Sequence, residues 1–216
     1  MKKAIGVLSI LILSYSGLAQ SHSAGTLSFQ ADYSFGLHLS VYESKFNDVL
    51  IDEDSSGVAT SMFDFSIQYS IFDFLSAGAY FGIGSYIEDP DNAEAQGNSI
   101  LSFGADVRAN LVNKFQFNWY LGGRLGYSAL EINRKTLNGF VDLRANYSSP
   151  QTGLFSGINY YFNDYIGLNF ELGYANHNFL MNEYHINDNS QDLSNFENRL
   201  DVKGIILKLG LSFKFD

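Results

Sequence analysis

The stretch Gly204-Ile205-Ile206-Leu207-Lys208-Leu209-Gly210-Leu211-Ser212-Phe213-Lys214-Phe215 decides the fold. Ile205, Leu207, Leu209, Leu211, Phe213 and Phe215 stand at every second position, with Ile206, Lys208, Gly210, Ser212 and Lys214 between them. Alternate side chains of a strand point to opposite faces, so this is a strand with one greasy and one small or polar face. An α-helix would scatter the same residues around its axis.

The same period recurs upstream. Leu27, Phe29, Ala31, Tyr33, Phe35, Leu37, Leu39 and Val41 alternate with Ser28, Gln30, Asp32, Ser34, Gly36, His38 and Ser40. Further runs start near Phe63, Leu75, Leu101, Phe115, Leu154 and Ile166, giving eight strands in all. The expected membrane-crossing length is roughly 9 to 11 residues each. The connectors alternate too. Short turns are expected at Phe72-Asp73-Phe74, Asn113-Lys114 and Asn163-Asp164, and long polar loops at Glu43 to Ala59, Glu88 to Ser99, Ala129 to Gln151 and Asn176 to Val202. Apolar stretches in the two longest loops leave ten strands as an alternative.

Met1-Lys2-Lys3, the apolar run Ala4 to Leu13 and the small residues Gly17-Leu18-Ala19 have the order of a secretory signal peptide, 1–19, leaving 20–216 as one barrel domain. There is no cysteine, hence no disulfide. Charged residues make up 17% of the chain and aromatic ones 16%, which is too little charge to coat a soluble domain of 216 residues. A net charge of −10 argues against nucleic acid as a partner.

Volume decides which face is inside. An eight-stranded barrel has room within only for its own side chains, so the many bulky apolar groups cannot all point inward. The Gly, Ser and Asn face fits there, and the apolar face meets lipid. The fold expected is all-β: an eight-stranded antiparallel transmembrane up-and-down barrel. Phe72, Phe74, Phe115, Phe117, Trp119, Tyr160, Phe162, Tyr165, Phe213 and Phe215 cluster near the short turns, as an aromatic girdle at one headgroup layer does.

The signal, the segment Gly157-Ile158-Asn159-Tyr160-Tyr161-Phe162-Asn163-Asp164-Tyr165-Ile166-Gly167-Leu168 and the closing Gly210-Leu211-Ser212-Phe213-Lys214-Phe215 resemble the small outer-membrane barrels of OmpX, OmpA and OmpW type. The outer membrane beta-barrel domain common in Bacteroidetes is the nearest in kind. The resemblance implies export to the bacterial outer membrane with a periplasmic N-terminus. It also implies contact with outer-membrane lipid and lipopolysaccharide, and reading of the last strand by the barrel-assembly machinery. A closed barrel has no free strand edge, so a monomer is expected.

Eight charges fall on inward positions: Asp32, Asp64, Asp106 and Glu171 against Arg108, Arg124, Lys208 and Lys214. Buried charges persist when paired, so ion pairs across the lumen are expected, making a plug more than a pore. Asp52, Asp54 and Ser56 before Gly57 match the first half of a calcium loop, but Phe63 stands where the bidentate Glu belongs, so they make a weak metal candidate only. Neither a metal nor another cofactor is expected.

Among the histidines, His22 is placed in the N-terminal tail, His38 inward, and His177 and His185 in the fourth long loop, with His177 near Glu183. No serine completes a nucleophilic set around them, and no enzyme is expected. Arg134, Lys135 and Arg144 form a basic patch in the third long loop; Phe140 to Tyr147 alternates too, an alternative in which the sixth strand extends above the membrane before Pro150 interrupts it. The function expected is a structural or surface-interaction role with a filled lumen; the alternative is a narrow channel for small or apolar solutes.

Overall fold

The computed structural model describes residues 21–88, 98–114, 116–136 and 141–215. The expected signal segment and Phe115 lie outside them. The strands are β1 (Leu27–Phe46), β2 (Val49–Phe72), β3 (Leu75–Glu88), β4 (Asn98–Lys114), β5 (Phe117–Thr136), β6 (Val141–Tyr161), β7 (Ile166–Ile186), the two-residue β8 (Asn189–Ser190) and β9 (Phe196–Phe215). Each long strand pairs antiparallel with its chain neighbour, and β1 pairs with β9 from Leu27↔Phe215 to Phe46↔Phe196. That last pairing closes eight long strands into a barrel.

The faces fall as volume requires. Leu209, Leu125 and Leu154 are 60%, 68% and 70% exposed, while Gln30, Asn169 and Ser212 on the opposite faces are at most 1% exposed. A continuous apolar outer wall of this kind is stable against acyl chains and a liability in water. The girdle rings described at the short-turn end stand outward, with Phe72 stacked on Phe74 at 5.5 Å and Tyr160 edge-on to Phe162 at 5.9 Å.

The expected loops are where sequence and structure part. Long strands run 14 to 24 residues, well beyond a membrane crossing, because most of the polar stretches continue the ladder instead of leaving it. Glu43 to Phe46 pairs with Val49 to Glu53 around a tight turn in which Asn47 and Asp48 both have positive φ, 47° and 63°. Two such residues make the hairpin turn that matches strand twist, and Asn and Asp adopt it at low cost. Asn187 and Asp188 repeat it, with φ 47° and 64°. Pro150 does not end the sixth strand. β6 runs through it opposite Tyr127, and the ladder to β7 skips Ser149 and Pro150 while the Ser149 hydroxyl accepts from the Asn178 backbone N–H at 2.7 Å.

Above the lipid-facing zone, alternation continues in reverse. Val58, Ile100, Leu130, Ile132, Tyr147, Phe179, Leu200 and Val202 point inward and pack as one apolar cluster. Outward positions there carry Glu131, Asp201 and Arg199 instead.

At the other end, the segment before β1 folds over the short-turn mouth. Ser21, His22 and Thr26 are buried. His22 and Asn113 exchange two hydrogen bonds, His22 N–H to Oδ1 at 2.8 Å and Nδ2 to the His22 carbonyl at 2.6 Å. Gly25, with φ 97°, takes the one left-handed step that turns this segment into β1, and its N–H donates to the Ser70 carbonyl at 2.8 Å.

Candidate functional site in the barrel interior

The inward charges come from strands on all sides of the barrel. Asp32 belongs to β1, Asp64 to β2, Asp106 and Arg108 to β4, Arg124 to β5, Glu171 to β7, and Lys208 and Lys214 to β9. All eight are buried, between 2% and 8% exposed. A charge in that setting is costly unless paired and hydrogen-bonded, so partners are the first question.

Three pairs form. Arg124 Nη2 donates to Glu171 Oε1 at 2.7 Å, Lys208 Nζ sits 2.8 Å from Asp64 Oδ1, and Arg108 Nη2 donates to Asp106 Oδ2 at 3.1 Å. The first two each reach over one intervening strand inside the barrel, β5 to β7 past β6 and β9 to β2 past β1; the third joins residues two apart on β4. The fourth pairing expected from the count of acids and bases does not occur. Asp32 accepts from the side-chain amide of Asn169 at 2.9 Å. Lys214 lies at the short-turn end, donating to the Ser21 carbonyl at 3.0 Å with its ammonium 4.9 Å from the Tyr161 ring centre. One strand residue advances about 3.3 Å, so inward groups many positions apart cannot meet whatever their signs.

Neutral groups complete these contacts. Gln30 Oε1 accepts from Arg108 Nη1 at 2.6 Å, and Gln68 bonds Asp106 through its amide. Tyr120 donates its hydroxyl to Asn169 at 2.8 Å. Aromatic rings hold the guanidiniums from the side: Arg124 lies 4.3 Å from the Phe155 centroid and 5.2 Å from that of Tyr80, and Arg108 lies 4.9 Å from Tyr120 and 5.6 Å from Phe155. Cation–π contacts of this kind strengthen when water is excluded.

Phe155 is a buried inward ring that the sequence reading did not single out. The available signal is its register: Gly122 and Gly173 stand opposite it on the flanking strands. A Cβ at Gly122 would come within 2.4 Å of the Phe155 ring, so glycine there is what admits the ring. Gly157 does the same for Tyr120, whose hydroxyl would lie 2.3 Å from such a Cβ.

Between the ion pairs and the apolar cluster, a cavity of about 20 Å³ is lined by residues including His38, Thr60, Tyr86, Gln151 and His177. That is room for about one water. His38 shares a 2.9 Å hydrogen bond with the Thr60 hydroxyl, and His177 stacks on Phe179 at 5.3 Å. His177 is therefore an inward residue of β7, not a loop residue beside Glu183; it is His185 that stands 3.7 Å from Glu183. His22 meets the Tyr161 hydroxyl at 3.0 Å. Through these contacts, no serine, histidine and carboxylate converge among the described residues.

The calcium-like segment is strand, not loop. Asp52, Asp54 and Ser56 are exposed, paired across to Ser44, Tyr42 and Ser40. Alternate residues of a strand lie about 6.6 Å apart, too far for the 2.3–2.6 Å oxygen shell of one cation. The basic patch is also on strands: Arg134 of β5 pairs with Glu88 at 2.5 Å, and Arg144 of β6 stands 3.8 Å from Glu131. In this region above the lipid-facing zone, burial pushes the Tyr147 hydroxyl well above its ordinary pKa, a mark of how dry the apolar cluster is.

No protein-family model and no curated protein matches the sequence. Solved structures do. The outer membrane protein OprG from Pseudomonas aeruginosa superposes with a TM-score of 0.64 at 12% identity, over 90% of this chain and 97% of that one. Outer membrane protein AlkL gives 0.49 at 14% identity over 94% and 95%, and Neisserial surface protein A gives 0.46 at 15% over 85% and 98%. At such identity the likeness to OprG concerns the fold, which is that of the small barrels of bacterial outer membranes.

Proposed function

We propose that this chain is an outer-membrane barrel with a structural or surface-interaction role, its lumen closed at membrane level by side chains and its extended hairpins presented to the exterior. The observation that carries this reading is the two buried ion pairs inside the barrel, Arg124–Glu171 and Lys208–Asp64, with Phe155 against Arg124 and the Tyr120 hydroxyl on Glu171. An ion entering would have to separate buried charges, at a cost of several kcal/mol for each left unpaired. In this reading the short-turn end and the N-terminus face the periplasm, where the buried segment around His22 covers the mouth. The barrel is a monomer without cofactor or catalytic role, in contact with outer-membrane lipid and lipopolysaccharide, and its last strand is read by the assembly machinery on insertion.

One observation favours a second reading, a narrow passage for small or apolar solutes. The upper interior is lined by Val58, Ile100, Leu130 and Phe179, a surface that suits an apolar guest better than a hydrated ion. Liposome swelling with small sugars separates the two. Vesicles carrying the protein are expected to stay as tight as empty ones, and swelling above that background overturns the closed-lumen reading. In planar bilayers Arg124→Ala tests whether the pairs act as a gate. A trace as silent as that of the unaltered protein leaves them a static core, and conductance steps appearing only in the variant assign them gating.

A further inference from the structure

The outer wall is not uniformly filled. On β5, β6 and β7 the outward positions Gly123, Leu125, Thr152, Leu154, Tyr174 and Asn176 surround a groove of about 730 Å³, within the roughly 300–1,000 Å³ of small-ligand sites. Its depth comes from Gly123, where a wall residue would otherwise project. A Cβ there would make only an ordinary 3.6 Å contact with Leu154. Lys203 of β9 stands at the rim, exposed.

Register sets the height of this groove. Along β9 the outward residues run Leu211, Leu209, Leu207, Ile205 and then Lys203, Asp201, Arg199; along β7 they run Leu168, Phe170, Leu172, Tyr174 and then Asn176, Asn178. Along β6 they run Ile158, Ser156, Leu154 and then Thr152. All three change from apolar to polar at the same level, which is the boundary between acyl chains and headgroups. The groove lies across that boundary, apolar below and polar above.

Charge identifies the occupant. Asp201, the nearest carboxylate along the outward face of β9, is held by Arg199 at 3.0 Å, and among the described residues Lys203 has no ion-pair partner. A free cation beside an apolar trough at the headgroup level fits a molecule that is anionic at one end and aliphatic at the other. We propose that the groove seats one acyl chain of a phosphorylated, acylated glycolipid of the outer leaflet, with its phosphate against Lys203 and its chain over Gly123. This rests on the reading that the long-hairpin end faces outward.

Native mass spectrometry of the folded barrel released from detergent micelles tests it, with lipid A as probe. Wild type is expected to retain one lipid A. Lys203→Gln should lower retention about fivefold, the scale of one cation near an anionic surface. Gly123→Leu, which fills the trough and keeps the charge, should lower it at least as much. Both variants must show the heat-dependent gel shift of a folded barrel. Retention equal to wild type in both folded variants overturns the site. Equal retention of phosphatidylcholine removes the role of charge, and displacement by inorganic phosphate at lipid-like concentrations removes that of the chain; either result overturns the proposal. A protein that never inserts into vesicles defeats the membrane reading itself, whereas one that inserts and retains no lipid A defeats the groove alone.

Discussion

The membrane-level half and the upper half of this barrel are built from the same strands with opposite polarity. In the lower half, Leu207, Leu209 and Leu211 of β9 face outward while Lys208 and Ser212 face in; a few residues earlier on that strand, Lys203 and Asp201 face out while Val202 and Leu200 face in. β5 makes the same exchange between Leu125 and Ile132. What reverses is the solvent, not the fold. Where lipid surrounds the wall, grease goes out and paired charge goes in; where water surrounds it, the interior becomes an ordinary apolar core. The level of exchange marks one edge of the membrane independently of any girdle.

The comparison is broken most strongly by removing one member of an interstrand ion pair. Arg124→Leu leaves Glu171 buried without its ion-pair partner, with only the Tyr120 hydroxyl at 3.3 Å, and is expected to cost about 3–5 kcal/mol in urea unfolding of the vesicle-inserted barrel. Arg124→Leu with Glu171→Leu together should recover most of that loss, and a double variant as unstable as the single one would show that the pair is not a unit. In the upper half the equivalent injury is apolar. Phe179→Ala opens a cavity worth roughly 3 kcal/mol, read as faster amide exchange in the upper strands with the lower ones unchanged. A uniform loss of protection would mean that the two halves do not open separately.

Outward substitutions sharpen the boundary. Leu209→Arg should cost about 2–4 kcal/mol, because its guanidinium would stand in hydrocarbon, while Asn178→Arg should lie near zero. Equal costs at the two sites would erase the boundary drawn between Tyr174 and Asn176. The smallest effect is expected at the hairpin tip. Asp48→Val, at φ 63°, should cost about 1 kcal/mol and Asp48→Gly almost nothing, measured by the same unfolding assay.

Much of the lower half was legible in the residues. The alternation from Leu27 to Leu39 or from Ile205 to Phe215 names both the strand and its lipid face, because period two and barrel volume leave one solution. Six of the eight inward charges form the three ion pairs, but which acid meets which base was hidden, since Arg124 and Glu171 are 47 residues apart on β5 and β7, and Asp64 and Lys208, on β2 and β9, meet only through the β1–β9 closure. Apart from the alternation up to Tyr147, which β6 does continue, the upper half was misread as loop for a definite reason. Its alternation is out of phase with the rest of the strand and diluted by surface Asn, Asp and Glu, so Leu130 and Ile132 look like stray apolar residues until their inward neighbours are known.

Sequence alone determined that the chain forms strands and that their bulky face meets lipid, which follow from local periodicity and the fixed volume of a small barrel; it favoured eight crossings over ten, and the β1–β9 pairing fixed the count. Tertiary structure decided where lipid gives way to water, which buried charges become partners, that the residues around His22 cover one mouth, and that a glycine leaves a groove beside Lys203. Those depend on register between strands far apart in the chain, and register is a property of the closed sheet that no single strand carries.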